Sequence, residues 1–386
     1  MALFKHKQPD AAPVREDRTG TLDLPFLLLV VLLTLVGLLM MFSASYARAN
    51  WDTGDSAYYF RRQALFALGG MAAMLLAGRL NYFIWFRTAM LILAGSIFLL
   101  ALVPLIGVRV NGAKRWLKLG IQFQPSDVAK LGMILAFAAM MSVWQDKMES
   151  FRYGVLPYVG IMGVIAVLLY LEPHLSATLI IGITGATMML LGGTKKSWLA
   201  LFALAAAVLV FFYLQKNGYA GGRVTTWLDP ESDALGDGYQ GIQSRYAIGS
   251  GGFLGLGLGR SRQKYLYLPE EHNDYIFAIV CEELGFVGAV GIILLFVLLI
   301  LRGYWIAIHA RDRFGTLVAA GLTTKLGVQV FLNMGVVTGL LPPTGISLPF
   351  FSYGGTALLL QLFEMGVILA VSRWCVNQEA VAKAHG

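Results

Sequence analysis

The sequence predicts an all-α polytopic membrane protein of about ten transmembrane helices, with cytoplasmic termini and a large extracytoplasmic loop between the seventh and eighth helices. Three observations carry that reading. Apolar residues make up 57% of the chain and Asp, Glu, Lys and Arg only 13%, against roughly 25% charged residues in a soluble domain. Apolar stretches of about 17–25 residues recur along the chain, each long enough to cross a hydrocarbon core as a helix. Lys and Arg are also divided unequally between the two sides of those stretches. A chain this poor in charge cannot present water with a polar surface all round, which excludes a soluble fold.

Residues 1–22 are mixed in charge with no apolar period and read as a disordered cytoplasmic tail. The run from Leu24 to Ser43 is too long for a signal-peptide core and reads as the first span. Spans are expected near 24–45, 63–79, 84–106, 126–143, 156–172, 175–192, 198–215, 275–301, 315–338 and 355–373. They form one transmembrane domain over 23–374, followed by a short cytoplasmic tail over 375–386. With the N-terminus inside, the inner segments carry fourteen Lys and Arg and the short outer loops seven, the bias expected of that orientation. No internal repeat is visible, so an inverted-repeat transporter design is not indicated.

The net charge of +8 comes without a basic run or an aromatic-interleaved stripe, and nucleic acid is not an expected partner. Cys281 and Cys375 stand far apart and give neither a disulfide framework nor metal-ligand spacing.

Two outer segments run against the topological bias. Residues 107–125 hold Arg109, Lys114, Arg115 and Lys118 beside Trp116, and the long loop 216–274 holds Arg223, Arg245, Arg260, Arg262 and Lys264. Cations placed outside ask for an anion there. The run Gly255–Ser261 lacks a Gly-Lys-Ser/Thr ending and a preceding strand, so it is not a nucleotide loop. It is either a flexible tether or a phosphate wrap of backbone amides and guanidinium groups.

The sharpest local signal is Tyr267-Leu268-Pro269-Glu270-Glu271-His272-Asn273-Asp274, leading into the span that starts at Tyr275. Asp274 reads either as a helix N-cap or as a general base at the outer membrane face. Glu282 and Glu283 follow within the apolar span, with Lys130, Lys325 and Arg87 as candidate partners at similar depth. Glu172, Glu364, Gln329 and Asn333 add to this inventory. Whether structural pairs or functional groups, such residues should face the bundle interior or a wet cleft. The Pro- and Gly-rich stretch Thr338–Gly355, which includes Ser352, forbids regular helix and implies a re-entrant or capping loop buried in protein. His174 reads as a structural residue.

In this order the motifs resemble the SEDS family of FtsW, RodA and SpoVE. The resemblance rests on Asn111–Trp116, Gln124–Asp127 with Lys130, Glu172–Leu175, Gly255–Lys264, Tyr267–Asp274 with Ile276–Ala278, Glu282–Gly285 and Thr338–Gly355. The form of the glycine run with Lys264 favours the FtsW/SpoVE branch. His174 departs from the pattern, since many members carry Asp there. The resemblance implies a peptidoglycan glycosyltransferase in the bacterial cytoplasmic membrane that polymerises lipid II into β-1,4 glycan strands at its outer face, for division, shape or sporulation. It matches the family's required acid to Asp274 and its Arg-Trp pair to Arg115 and Trp116. It also implies partners: a class B penicillin-binding protein and other divisome or elongasome membrane proteins.

The chemistry agrees. An inverting transfer to a sugar hydroxyl needs a base, for which Asp274 stands, and positive charge for a departing diphosphate. Arg109, Lys114, Arg115, Lys118, Arg260, Arg262 and Lys264 are the expected cations, with Mg or Mn as the expected cofactor and no organic one. Trp116, Lys130, Glu271, His272, Glu282, Glu283, Lys325 and Ser352 are the expected supporting residues, and no metal ligand is assigned. A lipid II transporter and a non-catalytic scaffold for the penicillin-binding protein are the competing readings.

Overall fold

A computed structural model describes residues 20–110, 113–216, 222, 225–236 and 238–375. Asn111, Gly112, Arg223 and most of the two expected tails lie outside the described residues. The helices are α1 (Leu24–Thr53), α2 (Tyr58–Arg79), α3 (Phe83–Ile106), α4 (Pro125–Val143), the single turn α5 (Phe151–Gly154), α6 (Leu156–Leu171), α7 (Leu175–Leu191) and α8 (Lys196–Lys216). After the outer loop come α9 (Tyr239–Gly251), α10 (Ile276–Ile308), α11 (Arg313–Val337) and α12 (Gly355–Ser372). Each expected span is met by a helix. Among the described residues, seven segments are long and apolar enough to cross a membrane; α7 and the apolar part of α8 are shorter.

Local chemistry sets the helix starts. Asp23 caps α1 by accepting from the Phe26 amide at 2.9 Å, with Pro25 in the first turn, where a missing N–H costs nothing. Asp312 caps α11 through the Gly315 amide at 2.7 Å. Helix α1 then shows its two faces clearly. Leu24, Leu28, Leu32, Leu35 and Leu39 are exposed at helical spacing, while Phe26, Val30, Leu33, Met40 and Met41 are buried. An apolar exposed stripe of that kind is a surface for lipid.

Helices α4, α11 and α12 form the centre: 78%, 72% and 67% of their apolar windows are buried, against 39% or less for α1, α3, α10 and the α5–α6 segment. Small residues allow the closest approach, as at Gly366 of α12, where a Cβ would stand 2.5 Å from the Met74 carbonyl of α2. The Gly20 amide donates to the Arg373 carbonyl at 2.9 Å, and Arg302 holds Asp23 with contacts of 2.7–3.2 Å. The chain therefore enters and leaves the bundle on one face.

One element departs from the all-α expectation. Between α3 and α4 stands a three-stranded antiparallel sheet, β1 (Val108–Val110), β2 (Ala113–Leu119) and β3 (Ile121–Phe123), in the order β1-β2-β3. Its strands pair Arg109 with Lys114 and Lys118 with Gln122.

Candidate active site at the outer end of α10

Asp274 does not hold the N-cap position of the helix. Helix α10 begins at Ile276, and its N-cap is Tyr275, whose own side chain makes no capping bond. The acid instead ends a turn-rich segment, 262–275, that is pinned to the Thr338–Gly354 loop. Ser352 Oγ donates to the Asn273 carbonyl at 2.7 Å and accepts from the Leu348 amide at 2.7 Å. The Tyr353 amide donates to the His272 carbonyl at 2.8 Å. Asn333 of α11 donates its side-chain amide to the carbonyls of Asp274 and Ile346, at 2.7 and 2.6 Å. The carboxylate then faces Gly345, where a Cβ would stand 3.3 Å from Oδ2.

The Pro- and Gly-rich loop lacks regular structure, as its composition dictates, yet Ile346, Leu348, Phe350, Phe351 and Ser352 are buried. Its backbone must therefore find partners within the protein. Polar side chains on the surrounding helices supply them. Gln63 of α2 donates to the Ser352 carbonyl at 3.1 Å and accepts from the Gly354 amide at 3.2 Å. Gln329 of α11 donates to the Ser347 carbonyl at 3.1 Å, and Ser176 at the start of α7 donates to the Thr344 carbonyl. Gln63 is a positioning residue that the sequence reading missed: one glutamine at the head of an apolar run does not reveal which loop folds over it.

Beneath this loop lies a cavity of about 40 Å³ lined by Asp127, Lys325, Gln329, Ser347, Ser352 and Gln361, among others, enough for roughly two or three waters. Around it, on the three central helices, stand two ion pairs. Lys130 meets Asp127 at 2.6 Å, and Lys325 meets Glu364 at 2.5 Å and Gln361 at 3.2 Å. Lys130, Lys325 and Glu364 are all buried, as intramembrane charges should be. Arg87 is exposed on α3 and joins none of them.

Glu282 and Glu283 find partners other than those expected. Both are buried, but they bind the glycine-rich loop rather than Lys130, Lys325 or Arg87. Glu282 accepts from the Arg262 amide at 2.9 Å and from Ser261 Oγ. Glu283 accepts from Ser43 Oγ at 2.6 and 2.8 Å and from Lys264 Nζ at 3.0 Å. The helix opens to admit this loop. Gly285 has φ 65° and ψ −167°, and a Cβ there would stand 2.2 Å from the Gly255 nitrogen. Amides of Leu256 and Gly257 donate to the carbonyls of Glu282 and Glu283, each at 3.0 Å. The glycine run is thus a docked structural segment, and the flexible-tether reading falls.

The seven expected cations divide into two groups. Lys264 is 2% exposed and its charge is taken by Glu283. Lys114 donates to the carbonyls of Pro104 and Leu105 at 2.7 and 3.2 Å, closing the C-terminus of α3. Arg115 Nε donates to the Glu172 carbonyl at 3.3 Å and its guanidinium also reaches the Pro173 carbonyl. Arg109, Lys118, Arg260 and Arg262 are exposed, and no ion pair among the described residues takes them. Trp116 is half-buried on β2, next to Arg115. On the α1–α2 side, His272 stacks on Tyr59 with centroids 5.1 Å apart and lies 3.5 Å from buried Glu271. Asp52 accepts from Tyr59 at 2.8 Å and Arg48 at 3.1 Å.

Glu172, in the turn after α6, is fully buried and both its carboxylate oxygens lack a hydrogen bond. Burial pushes its carboxyl up to about 8, against the opposing pull of Arg115. His174 is held neutral, its pKa lowered to about 3 by burial and then by Arg115 and Lys130, and the Gln124 amide lies 3.2 Å from its ring nitrogens.

Comparison with known proteins completes this picture. Residues 23–376 match the family model FTSW_RODA_SPOVE, described as "Cell cycle protein". The chain belongs to the FtsW/RodA/SpoVE family. This family member is 40% identical over 353 residues to a Geobacter sulfurreducens protein named "Probable peptidoglycan glycosyltransferase FtsW", covering 91% of this chain and 95% of that one. It is 41% identical over 356 residues to stage V sporulation protein E of Bacillus subtilis, covering 91% and 97%. Among solved structures it resembles one described as "Structural coordination of polymerization and crosslinking by a peptidoglycan synthase complex", with TM-score 0.76, 30% identity and coverage of 91% and 98%. It also resembles the Thermus thermophilus rod shape determining protein RodA, with TM-score 0.69, 27% identity and coverage of 92% and 98%. The FtsW/RodA/SpoVE chain is accordingly a multi-pass membrane protein.

Proposed function

We propose that this chain is a peptidoglycan glycosyltransferase of the bacterial cytoplasmic membrane that polymerises lipid II, with Asp274 as general base. The observation that carries the reading is the placement of Asp274. Its backbone is fixed by Asn333 and, through Asn273, by Ser352, while its carboxylate faces the Gly345 turn of a buried polar loop. A base for a sugar hydroxyl needs fixed position more than it needs strength. Relatives named as peptidoglycan glycosyltransferases support the reaction class.

In the proposed step, Asp274 takes the proton of the acceptor hydroxyl as that oxygen attacks the anomeric carbon of the donor. The bond from that carbon to the lipid diphosphate breaks, and the diphosphate leaves with the electron pair. Arg109, Lys118, Arg260 and Arg262, the cations not spent in internal pairs, are the groups that would offset its charge. Lys114, Arg115 and Lys264 serve by holding the outer hairpin, the α6–α7 turn and the glycine loop. Among the described residues no cluster of three or more His, Cys, Asp or Glu could cage a metal. A divalent ion would be held largely by the diphosphate itself, with at most one or two carboxylates.

The contact between Gly20 and Arg373 supports an even number of crossings. In the proposed topology, ten crossings with cytoplasmic ends, Asp274 and both cationic segments lie outside. A class B penicillin-binding protein is the proposed partner. The deciding experiment incubates the purified chain with labelled lipid II, alone and with that partner, and follows product length on gels. Polymer is the expected result. Movement of label between liposome leaflets without polymer would indicate a transporter instead.

A further inference from the structure

Next to Asp274, and lined by none of the residues of the α4–α11–α12 charge cluster, lies a second cavity of about 140 Å³. Trp227, Arg245, Tyr275, Thr338, Gly339 and Pro343 are among its walls. It abuts the proposed base twice: Tyr275 is the next residue along the chain, and Pro343 lies two residues before the Gly345 that the carboxylate faces. None of the interactions described above uses it.

Its walls are fixed. The Trp227 indole N–H donates to the Gly339 carbonyl at 2.8 Å, setting the ring as one face. Ser244 of α9 donates to the Val337 carbonyl at 2.7 Å, tying that helix to the end of α11 and holding its next residue, Arg245, at the rim. Arg245 is exposed, and no ion pair or hydrogen bond among the described residues takes its guanidinium, in contrast to Lys114, Arg115 and Lys264.

Size and chemistry point the same way. A cavity of roughly 150 Å³ accommodates one six-membered ring, and about 140 Å³ is too small for a whole disaccharide. An aromatic face, hydroxyls, exposed glycine backbone and a single cation suit a polar ring with apolar C–H faces and one anionic substituent. We infer that this cavity, walled by Trp227 and Arg245, is a saccharide subsite that seats one sugar ring of the substrate beside Asp274, with Arg245 pairing a carboxylate of the peptide that this sugar bears. The inference rests on the glycosyltransferase reading above and assigns the sugar-binding surface of the same site.

The test uses direct binding, so that it does not depend on turnover. The full-length chain in nanodiscs is titrated by calorimetry with a lipid-free, phosphate-free disaccharide–peptide, whose anions are carboxylates, and separately with inorganic pyrophosphate. Wild type and Asp274→Asn should bind the disaccharide–peptide alike. Trp227→Ala and Arg245→Glu should each weaken it about tenfold, the scale of one lost charge-assisted contact, and Arg245→Lys should restore part of it. In lipid II polymerisation the same two variants should raise KM, whereas Asp274→Asn lowers kcat. Equal melting temperatures show that the variants fold. Unchanged disaccharide–peptide binding in Trp227→Ala and Arg245→Glu would overturn the assignment, as would an Arg245→Glu defect confined to pyrophosphate. Full activity in Asp274→Asn would remove the proposed base while leaving these binding results to stand.

Discussion

The side-chain amide of Asn333 bridges two carbonyls, donating to Asp274 at 2.7 Å and to Ile346 at 2.6 Å. One residue of α11 thereby joins the segment that carries the acid to the loop that the acid faces. Asn333→Leu removes both bonds and strands two carbonyls. Each unmet buried acceptor costs about 1–3 kcal/mol, so polymerisation should fall roughly 10- to 100-fold with the protein still folded. Activity per folded molecule in purified Asn333→Leu checks this.

The Lys264–Glu283 pair, 3.0 Å apart with both side chains nearly inaccessible, makes an opposite kind of prediction. Lys264→Met leaves Glu283 buried without its cation and should destabilise the chain by about 3–5 kcal/mol. Lys264→Met with Glu283→Gln should recover much of that loss and retain polymerisation. A double variant that melts normally but cannot turn over lipid II would return Lys264 to the substrate.

Glu172 predicts a pH dependence of stability. Its folded pKa stands at about 8 against an ordinary 4.5, so the folded protein holds this proton where the unfolded chain has released it. Stability from this group is therefore full below about 4.5 and declines as pH rises towards 8. Melting temperatures in detergent across that range should fall more steeply for wild type than for Glu172→Gln.

Gly285 predicts an effect on loop docking. With φ at 65° and Gly255 pressed against it, Gly285→Ala carries a backbone strain of about 1–3 kcal/mol besides the clash. Protease nicking between Gly252 and Lys264 should accelerate in that variant, and unchanged nicking would contradict the docked loop.

Much of the fold was legible because apolar run length acts locally: the run that opens at Leu24, and the Pro- and Gly-rich stretch after Val337, mark their own boundaries. The family was legible from the order of its motifs, and the interior position of Lys130, Lys325 and Glu364 from the cost of charge in lipid. What could not be read was partnership across the fold. Glu282 and Glu283 looked towards other helices on the basis of depth, but a loop about twenty residues upstream reaches them because Gly255 and Gly285 permit close backbone approach. Asp274 looked like a cap because it precedes a helix, yet that helix starts at Ile276 with Tyr275 at its N-cap, and the Asp274 carbonyl is bound by Asn333 of α11. The outer hairpin escaped notice because its short alternating strands carry the same Arg and Lys that drew attention as ligands.

The central claim is that the carboxylate of Asp274 carries the proton of the acceptor hydroxyl. The most direct measurement is the rate of lipid II polymerisation by wild type and Asp274→Asn, purified side by side with matched melting temperatures. The isosteric amide keeps the backbone bond to Asn333 and removes the base, so the rate should fall by about 10²–10⁴-fold. Polymerisation by Asp274→Asn at the wild-type rate would contradict the account.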